Sequence, residues 1–179
     1  MNAGNTVGVI ELASLYKGFE VLDSILKTAS VEKVLARTIC SGKYVIIVRG
    51  LIADVETAVE RAREVGAFAV VSALVISNVD EKIFPAIAGT TALDSPRTGG
   101  MLILETFSVA AAIRAADLAL KEAEVTVLRI HVAMAIGGKG LAVLTGDIEA
   151  LRSAMLPAVE FVKDEGMLGG YTLITDPHE

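Results

Sequence analysis

Apolar and polar residues change along this chain between a strand-like and a helix-like spacing. In the first half, apolar runs typical of buried strands flank two segments in which apolar residues recur every three or four positions. The second of these segments has apolar residues on one face, namely Val55, Ala58, Val59, Ala62 and Val65. The pattern predicts strands over 6–14, 31–40, 43–50 and 68–77 and helices over 16–29, 52–65 and 80–89. The first half is therefore expected to follow the order β-α-β-β-α-β, with a short helix at its end.

The second half repeats the first. Residues 7–50 match residues 101–146, first at an offset of 94 (105 − 11) and, beyond a glycine-bearing loop, at 96 (139 − 43). The identical pairs are Glu11/Glu105, Ser14/Ser108, Asp23/Asp117, Lys27/Lys121, Lys43/Lys139 and Gly50/Gly146. Strands are predicted over 101–106, 125–135, 141–145 and 171–175 and helices over 109–121 and 148–163, the last bent or broken at Pro157. A repeat this long indicates a duplicated domain rather than a solenoid.

The duplicated order predicts an α+β fold of two tandem ferredoxin-like domains. Each would be a split β-α-β unit whose antiparallel sheet carries its helices on one face. The domains are predicted over 1–89 and 100–179, joined by a linker over 90–99 that is rich in turn-forming residues. Two similar halves can alternate around an axis, so that a trimer of tandem chains would imitate a hexamer of single domains.

Amino-acid composition and net charge indicate which kinds of partner and compartment suit the chain. The 179 residues are 53% hydrophobic and 21% charged, with a mean hydropathy of +0.60, but charged residues interrupt every apolar run before it could span a membrane. Such a chain has either an unusually large core or a surface that is hidden in an oligomer. A net charge of −6 argues against nucleic acid as a partner. No signal peptide is visible, and a lone cysteine suits the reducing cytoplasm.

The sequence contains no self-sufficient active site, and the chain is predicted not to be an enzyme. His131 and His178 have no cysteine or carboxylate nearby at the spacing of metal ligands. The stretch 136–140 lacks the first glycine and the Ser or Thr of a phosphate-binding loop. Glu11 and Glu105 are equivalent positions of two copies and are expected to share one structural role rather than act as an acid/base pair.

Two turns at matching places between paired strands are the candidate functional features. The first contains Cys40, Ser41 and Gly42, and the second consists of Ala135, Ile136, Gly137 and Gly138. Each is followed by a lysine. Glycine gives such turns their backbone freedom, so an ordinary hairpin explains them. The alternative is that the turns converge on a symmetry axis and line a pore.

Several motifs resemble those of the bacterial microcompartment shell-protein domain. They are V-x-E at residues 9–11, D-x-x-x-K at 23–27, I-C-S-G-K-Y at 39–44 and V-x-R-G, which here reads V-R-G, at 48–50. Two unpermuted copies resemble the tandem shell proteins, and the segments ETFSVAAAIRAAD and LRIHVAMAIGGK are similar to the tandem members found in propanediol-utilisation microcompartments. The resemblance extends from Gly8 to His178.

The resemblance implies a homotrimeric, pseudo-hexagonal tile that packs with other shell proteins around enclosed enzymes in the cytoplasm. The two turns would then line the central pore. The family's edge lysine corresponds to Lys27 and Lys121, each preceded by an aspartate, Asp23 or Asp117. The same spacing also allows an ordinary ion pair between residues i and i+4 of a helix.

The resemblance also implies a metal role for Cys40. In similar tandem shell proteins, the cysteine of this turn binds an iron–sulfur cluster on the three-fold axis. One chain offers one thiolate, whereas three chains would bring three thiolates to a shared [4Fe–4S] cluster. The alternative is a reduced cysteine beside an open pore. Other classes of function on such a fold are a small iron–sulfur redox carrier and a ligand-binding regulatory oligomer.

Overall fold

The structure is a computed structural model that describes residues 4–92, 99–132 and 136–177, with Ser41 described by its backbone alone. It divides into two compact units, with the boundary between Val79 and Asp80. The elements of the first unit are β1 (Thr6–Leu12), α1 (Leu15–Thr28), β2 (Glu32–Ile39), β3 (Lys43–Gly50), α2 (Ile52–Gly66) and β4 (Val70–Ile76). Those of the second are α3 (Ile83–Ala88), β5 (Gly100–Thr106), α4 (Val109–Glu122), β6 (Thr126–Val132), β7 (Gly140–Gly146), α5 (Ile148–Asp164) and β8 (Leu168–Thr175).

Each unit contains one four-stranded antiparallel sheet. The strand orders are β2-β3-β1-β4 and β6-β7-β5-β8. This is the order of the ferredoxin-like split β-α-β unit, in which the first and third strands are central and the second and fourth form the edges. The predicted α+β class, the duplicated β-α-β-β-α-β order and the antiparallel sheets are confirmed.

The core of the first unit lies between its sheet and the two helices on one face of it. Alternate residues of β1 and β3, among them Ile10 and Ile46, pack against the apolar stripes of α1 and α2. Val21 and Ile25 come from α1, and Val55 and Val59 come from α2. The helical spacing in the sequence therefore identifies the core-facing stripe of α2, whereas on α1 the apolar Phe19 is 60% exposed and lies outside this core.

The two units share even their irregularities. The pairing of β1 with β4 shifts by one residue after Glu11, and that of β5 with β8 shifts after Glu105. The extra residue on the outer strand is Val71 in the first unit and Gly169 in the second. A second pair of bulges lies at equivalent places in β2 and β6.

Helix α3 packs on the second unit, although the sequence places it at the end of the first domain. It lies against β6, and the segments on either side are held there by hydrogen bonds. The backbone N–H of Asp80 donates to Asp117 Oδ1 at 2.9 Å, and Thr91 Oγ1 donates to the carbonyl of Val127 at 3.2 Å. These contacts move the boundary of the compact units ten residues before the predicted domain end (89 − 79). The larger part of the predicted linker lies outside the described residues.

Helix α5 continues through Pro157, where a bend or break was expected. Proline removes one backbone donor, but the helix is continuous from Ile148 to Asp164. Within the described ranges, no helix has the length and apolar character needed to cross a membrane.

Candidate functional site

The first turn joins β2 to β3 and comprises Cys40–Gly42. Ile39 pairs with Lys43, so three residues form the turn, one more than the Ser41-Gly42 pair expected from the sequence. Gly42 closes it with φ +69°, a left-handed conformation that glycine adopts without steric cost. A β-carbon on Gly42 would meet no atom within 4 Å. The turn therefore projects into open space and carries a half-buried Cys40.

The second turn is longer, as the change of offset predicts. Val132 pairs with Gly140, whereas the equivalent Thr38 pairs with Tyr44, so two further residues lie in the loop. Gly137 and Gly138 have φ +66° and +84°, and a β-carbon on either would meet nothing within 4 Å. Ala135 lies outside the described residues.

Each turn lies at the end of its own sheet where the edge strand returns to a central strand. The sequence therefore identified two turns at matching places. Their convergence around an axis involves several chains and stays a prediction.

The two equivalent glutamates differ in exposure, and the expectation of a common structural role stays a prediction. Glu11 is 3% exposed within the first unit. Glu105 is half-exposed, and its Oε1 lies 2.8 Å from Nζ of Lys139, the lysine that follows the second turn. The same ammonium lies 5.9 Å from the centroid of the Phe107 ring. Sequence reasoning missed this ion pair, although the matching of both residues between the copies was a signal that could have led to it.

The two aspartate–lysine pairs both form, but in different surroundings. The distance between the carboxylate oxygen and Nζ is 2.6 Å in Asp23–Lys27 and 2.6 Å in Asp117–Lys121. The Asp23 side chain is 64% exposed, whereas that of Asp117 is fully buried and also accepts the N–H of Asp80. The i,i+4 ion pair that the spacing allowed is therefore present in both helices.

A metal site needs several ligands that converge on one point. The part of the chain that the structure describes contains no group of three or more His, Cys, Asp or Glu residues placed to bind a metal ion. Cys40 lies on a projecting turn, where a thiol could meet its copies from other chains. A cluster with three thiolate ligands fits this turn only when three chains share it.

Comparison with known proteins places both halves in one domain family. The model of the BMC domain matches residues 6–79 and 102–177. The bacterial microcompartment shell protein PduT of Citrobacter freundii is 37% identical over 173 residues, which cover 97% of this chain and 93% of the relative.

Solved structures agree. The crystal structure of a microcompartment protein from Desulfitobacterium hafniense DCB is similar with a TM-score of 0.92 at 34% identity, covering 97% of this chain and 95% of the other. A fused permuted hexameric shell protein from the RMM microcompartment is similar with a TM-score of 0.64 at 23% identity, covering 88% and 81%. That second likeness concerns the fold alone.

Proposed function

This chain belongs to the bacterial microcompartment shell protein family and is a structural shell protein; from that premise we propose that three copies form a pseudo-hexagonal tile whose turns surround a central pore. Six similar domains from three tandem chains can close a ring by repeating one heterologous contact. The tile would pack with other shell proteins around enclosed enzymes.

Unequal burial of equivalent surfaces supports the closed ring. In the second unit, residues 80–92 cover Asp117 and β6, and Val127 and Ile130 are 1% exposed. The matching surface of the first unit, around Asp23 and β2, has no such cover among the described residues of that unit. A second copy of the chain would supply the missing cover. The observation that carries the ring is this contrast between Asp117 and Asp23.

Sedimentation and electron microscopy test the proposal. The expected result is a trimer in solution that assembles into flat hexagonal sheets at high concentration. A protein that stays monomeric would end the proposal, and a trimer that never forms sheets with itself or with other shell proteins would remove its tile role. The second outcome would fit a redox carrier or a regulatory oligomer.

The lysines of the two aspartate–lysine pairs are proposed to face neighbouring tiles. Lys121 remains 40% exposed although its partner Asp117 is buried, so the carboxylate can hold the chain of the lysine while the ammonium reaches outward. Lys27 would have the same role once Asp23 is covered by another copy. Lys27→Ala and Lys121→Ala are expected to abolish sheets and leave the trimer intact. Lys17→Ala is the control, because Lys17 pairs with Glu20 on the same helix at 2.8 Å and is expected to leave sheets unchanged.

Cys40 is proposed to bind a [4Fe–4S] cluster shared by three chains. The thiol lies on the projecting first turn, and Ser41 and Gly42 would offer small residues and backbone N–H groups beside it. When bound, the cluster would supply one-electron redox chemistry at the centre of the tile. Ser41, Gly42, Ala135, Ile136, Gly137 and Gly138 are proposed to line the same opening.

Anaerobic purification tests the cluster. The expected result is a brown protein with iron and sulfide at about one cluster per trimer, and a colourless, iron-free trimer for Cys40→Ser. Iron that persists in Cys40→Ser would assign the metal to other residues. A colourless, iron-free wild-type protein purified without oxygen would reject the cluster and leave the proposal of a pore without a cofactor.

A further inference from the structure

The ion pair between Glu105 and Lys139 joins strand β5 to the lysine that follows the second turn. We propose that it is a latch: Glu105 and Lys139 are positioning residues that hold the second turn in one conformation and keep the Lys139 ammonium away from the opening. The consequence for the opening rests on the proposed pore, whereas the latch itself is a property of one chain.

The described part of the second turn contains two consecutive glycines. Gly137 and Gly138 both have positive φ, a β-carbon on either would meet no atom within 4 Å, and the N–H of Lys139 donates to the carbonyl of Ile136 at 3.3 Å. Two consecutive glycines lose more backbone freedom on ordering than any other residues. A side-chain anchor at the end of the turn therefore decides how firmly the turn is placed.

Lys139 is such an anchor because its ammonium contacts two side chains, one in strand β5 and one directly after it. Glu105 Oε1 lies 2.8 Å from Nζ, and the Phe107 ring centroid lies 5.9 Å from it. Both side chains of the pair are 41% exposed. The pair is therefore open to screening by salt but is held more firmly than a pair on a fully exposed helix.

Gly169 provides the room that the carboxylate needs. It is the bulged residue of β8 opposite Glu105, and a β-carbon on it would lie 2.8 Å from Oε1 and 3.1 Å from Cγ of that glutamate. The first unit has Val71 at the equivalent bulge, and there Glu11 is buried. Among the described residues, Lys43 forms no ion pair of its own, although it follows the first turn as Lys139 follows the second. Only the second unit combines the glutamate, the lysine and the glycine bulge.

Lysine reactivity in the intact protein tests the latch. Amine acetylation under limiting reagent, read residue by residue by mass spectrometry, is expected to rise about fivefold at Lys139 in Glu105→Gln, with Lys43 as the internal control that does not change. Gly169→Ala is expected to give the same rise without altering any charge, because its β-carbon displaces the carboxylate. Gly170→Ala is the matched control, since a β-carbon there meets nothing within 4 Å. In 1 M NaCl the wild type is expected to approach the variants.

Positioning, as distinct from simple pairing, is tested by backbone order. The amide order parameters of Gly137 and Gly138 are expected to fall to about 0.6 or below in Glu105→Gln and Gly169→Ala. In Lys139→Arg, which keeps the positive charge opposite Glu105, they are expected to fall less. Unchanged Lys139 labelling, or unchanged order parameters, would overturn the latch. If both change while the passage of anionic solutes through assembled tiles does not, the latch stands and the proposed pore fails.

Discussion

The ring of Tyr44 fills the space that Gly18 leaves on helix α1, since a β-carbon on Gly18 would lie 2.3 Å from Cγ of Tyr44. In the second unit, the glycine of the same helix–strand contact lies on the strand and not on the helix. Ala112 stands at the position equivalent to Gly18 (112 − 18 = 94), and Gly140 stands at that of Tyr44 (140 − 44 = 96). A β-carbon on Gly140 would lie 2.8 Å from the Ala112 methyl group. In the first unit the glycine lies on the helix and the larger side chain on the strand, and in the second unit the glycine lies on the strand. Each helix–strand contact therefore has one glycine that makes room for the residue opposite it.

Gly18→Ala is therefore expected to destabilise the protein. Overpacking costs about 1–3 kcal/mol, and the gain in helix propensity of about 1 kcal/mol from replacing glycine offsets only part of it. A double-mutant cycle with Tyr44→Ala, measured by urea unfolding, is expected to show a coupling of about 1 kcal/mol or more. Gly170→Ala should change stability by no more than about 0.5 kcal/mol. Additive effects of Gly18→Ala and Tyr44→Ala would contradict the contact.

Asp117→Ala is expected to cost far more stability than Asp23→Ala. The first change removes a buried carboxylate that holds both Lys121 and the N–H of Asp80, which leaves that N–H without its acceptor and costs about 2–4 kcal/mol. The second removes an exposed pair worth less than about 0.5 kcal/mol. Thermal and urea unfolding of the two single variants measure the difference. The monomer is the relevant species, because the segment that covers Asp117 belongs to the same unit of the same chain. Equal losses of stability for the two variants in the monomer would show that the burial of Asp117 has no energetic role.

Two serines at the starts of equivalent helices are expected to respond differently to replacement by alanine. Ser108 Oγ accepts the N–H of Ala111 at 3.1 Å and caps α4, whereas the Ser14 side chain makes no such capping bond to α1. Ser108→Ala is expected to destabilise by about 1 kcal/mol and Ser14→Ala by a few tenths, at about the level of an uncapped position. Urea unfolding at one pH compares them directly. A larger loss for Ser14→Ala would contradict the capping geometry.

Ionisation of the Tyr44 phenol is expected to lower the stability of the protein at high pH. Burial raises the pKa of its phenol above the ordinary value of 10.0. Because the folded state favours the neutral phenol, this contribution is complete below pH 10.0 and is lost as the pH rises through the folded pKa. Tyr44→Phe keeps the ring against Phe19, with centroids 4.9 Å apart in the wild type, but cannot ionise.

Unfolding free energies at pH 8 and at about pH 11 test this dependence. The difference in stability between Tyr44→Phe and the wild type is expected to shift in favour of the variant as the pH rises. The remaining side chains are common to both proteins, so their contributions cancel in the comparison. Parallel curves over this range would show that the phenol is not protected by burial.

Much of the fold was present in the spacing of apolar residues. Periodicity located the eight strands and five helices of the described residues to within a few residues, because apolar residues recur at the period of the element that buries them. The long repeat carried the duplication, and the change of offset located the longer second turn before β7. The resemblance of its motifs placed the chain in the shell protein family, which the matching of both domains supports.

What the sequence could not decide is which of two identical residues has which role. Glu11 and Glu105, Asp23 and Asp117, and Ser14 and Ser108 are identical residues at matching positions, yet the members of each pair differ. Glu11 and Asp117 are buried whereas Glu105 and Asp23 are partly exposed, and Ser108 caps its helix whereas Ser14 makes no capping bond. The difference comes from neighbours that are distant in the chain: Gly169 beside Glu105, and Asp80 above Asp117. The spacing of apolar residues reports on an element through its own stretch of chain. Burial and charge pairing depend instead on which distant segment packs against that element, and only the tertiary structure brings those segments together.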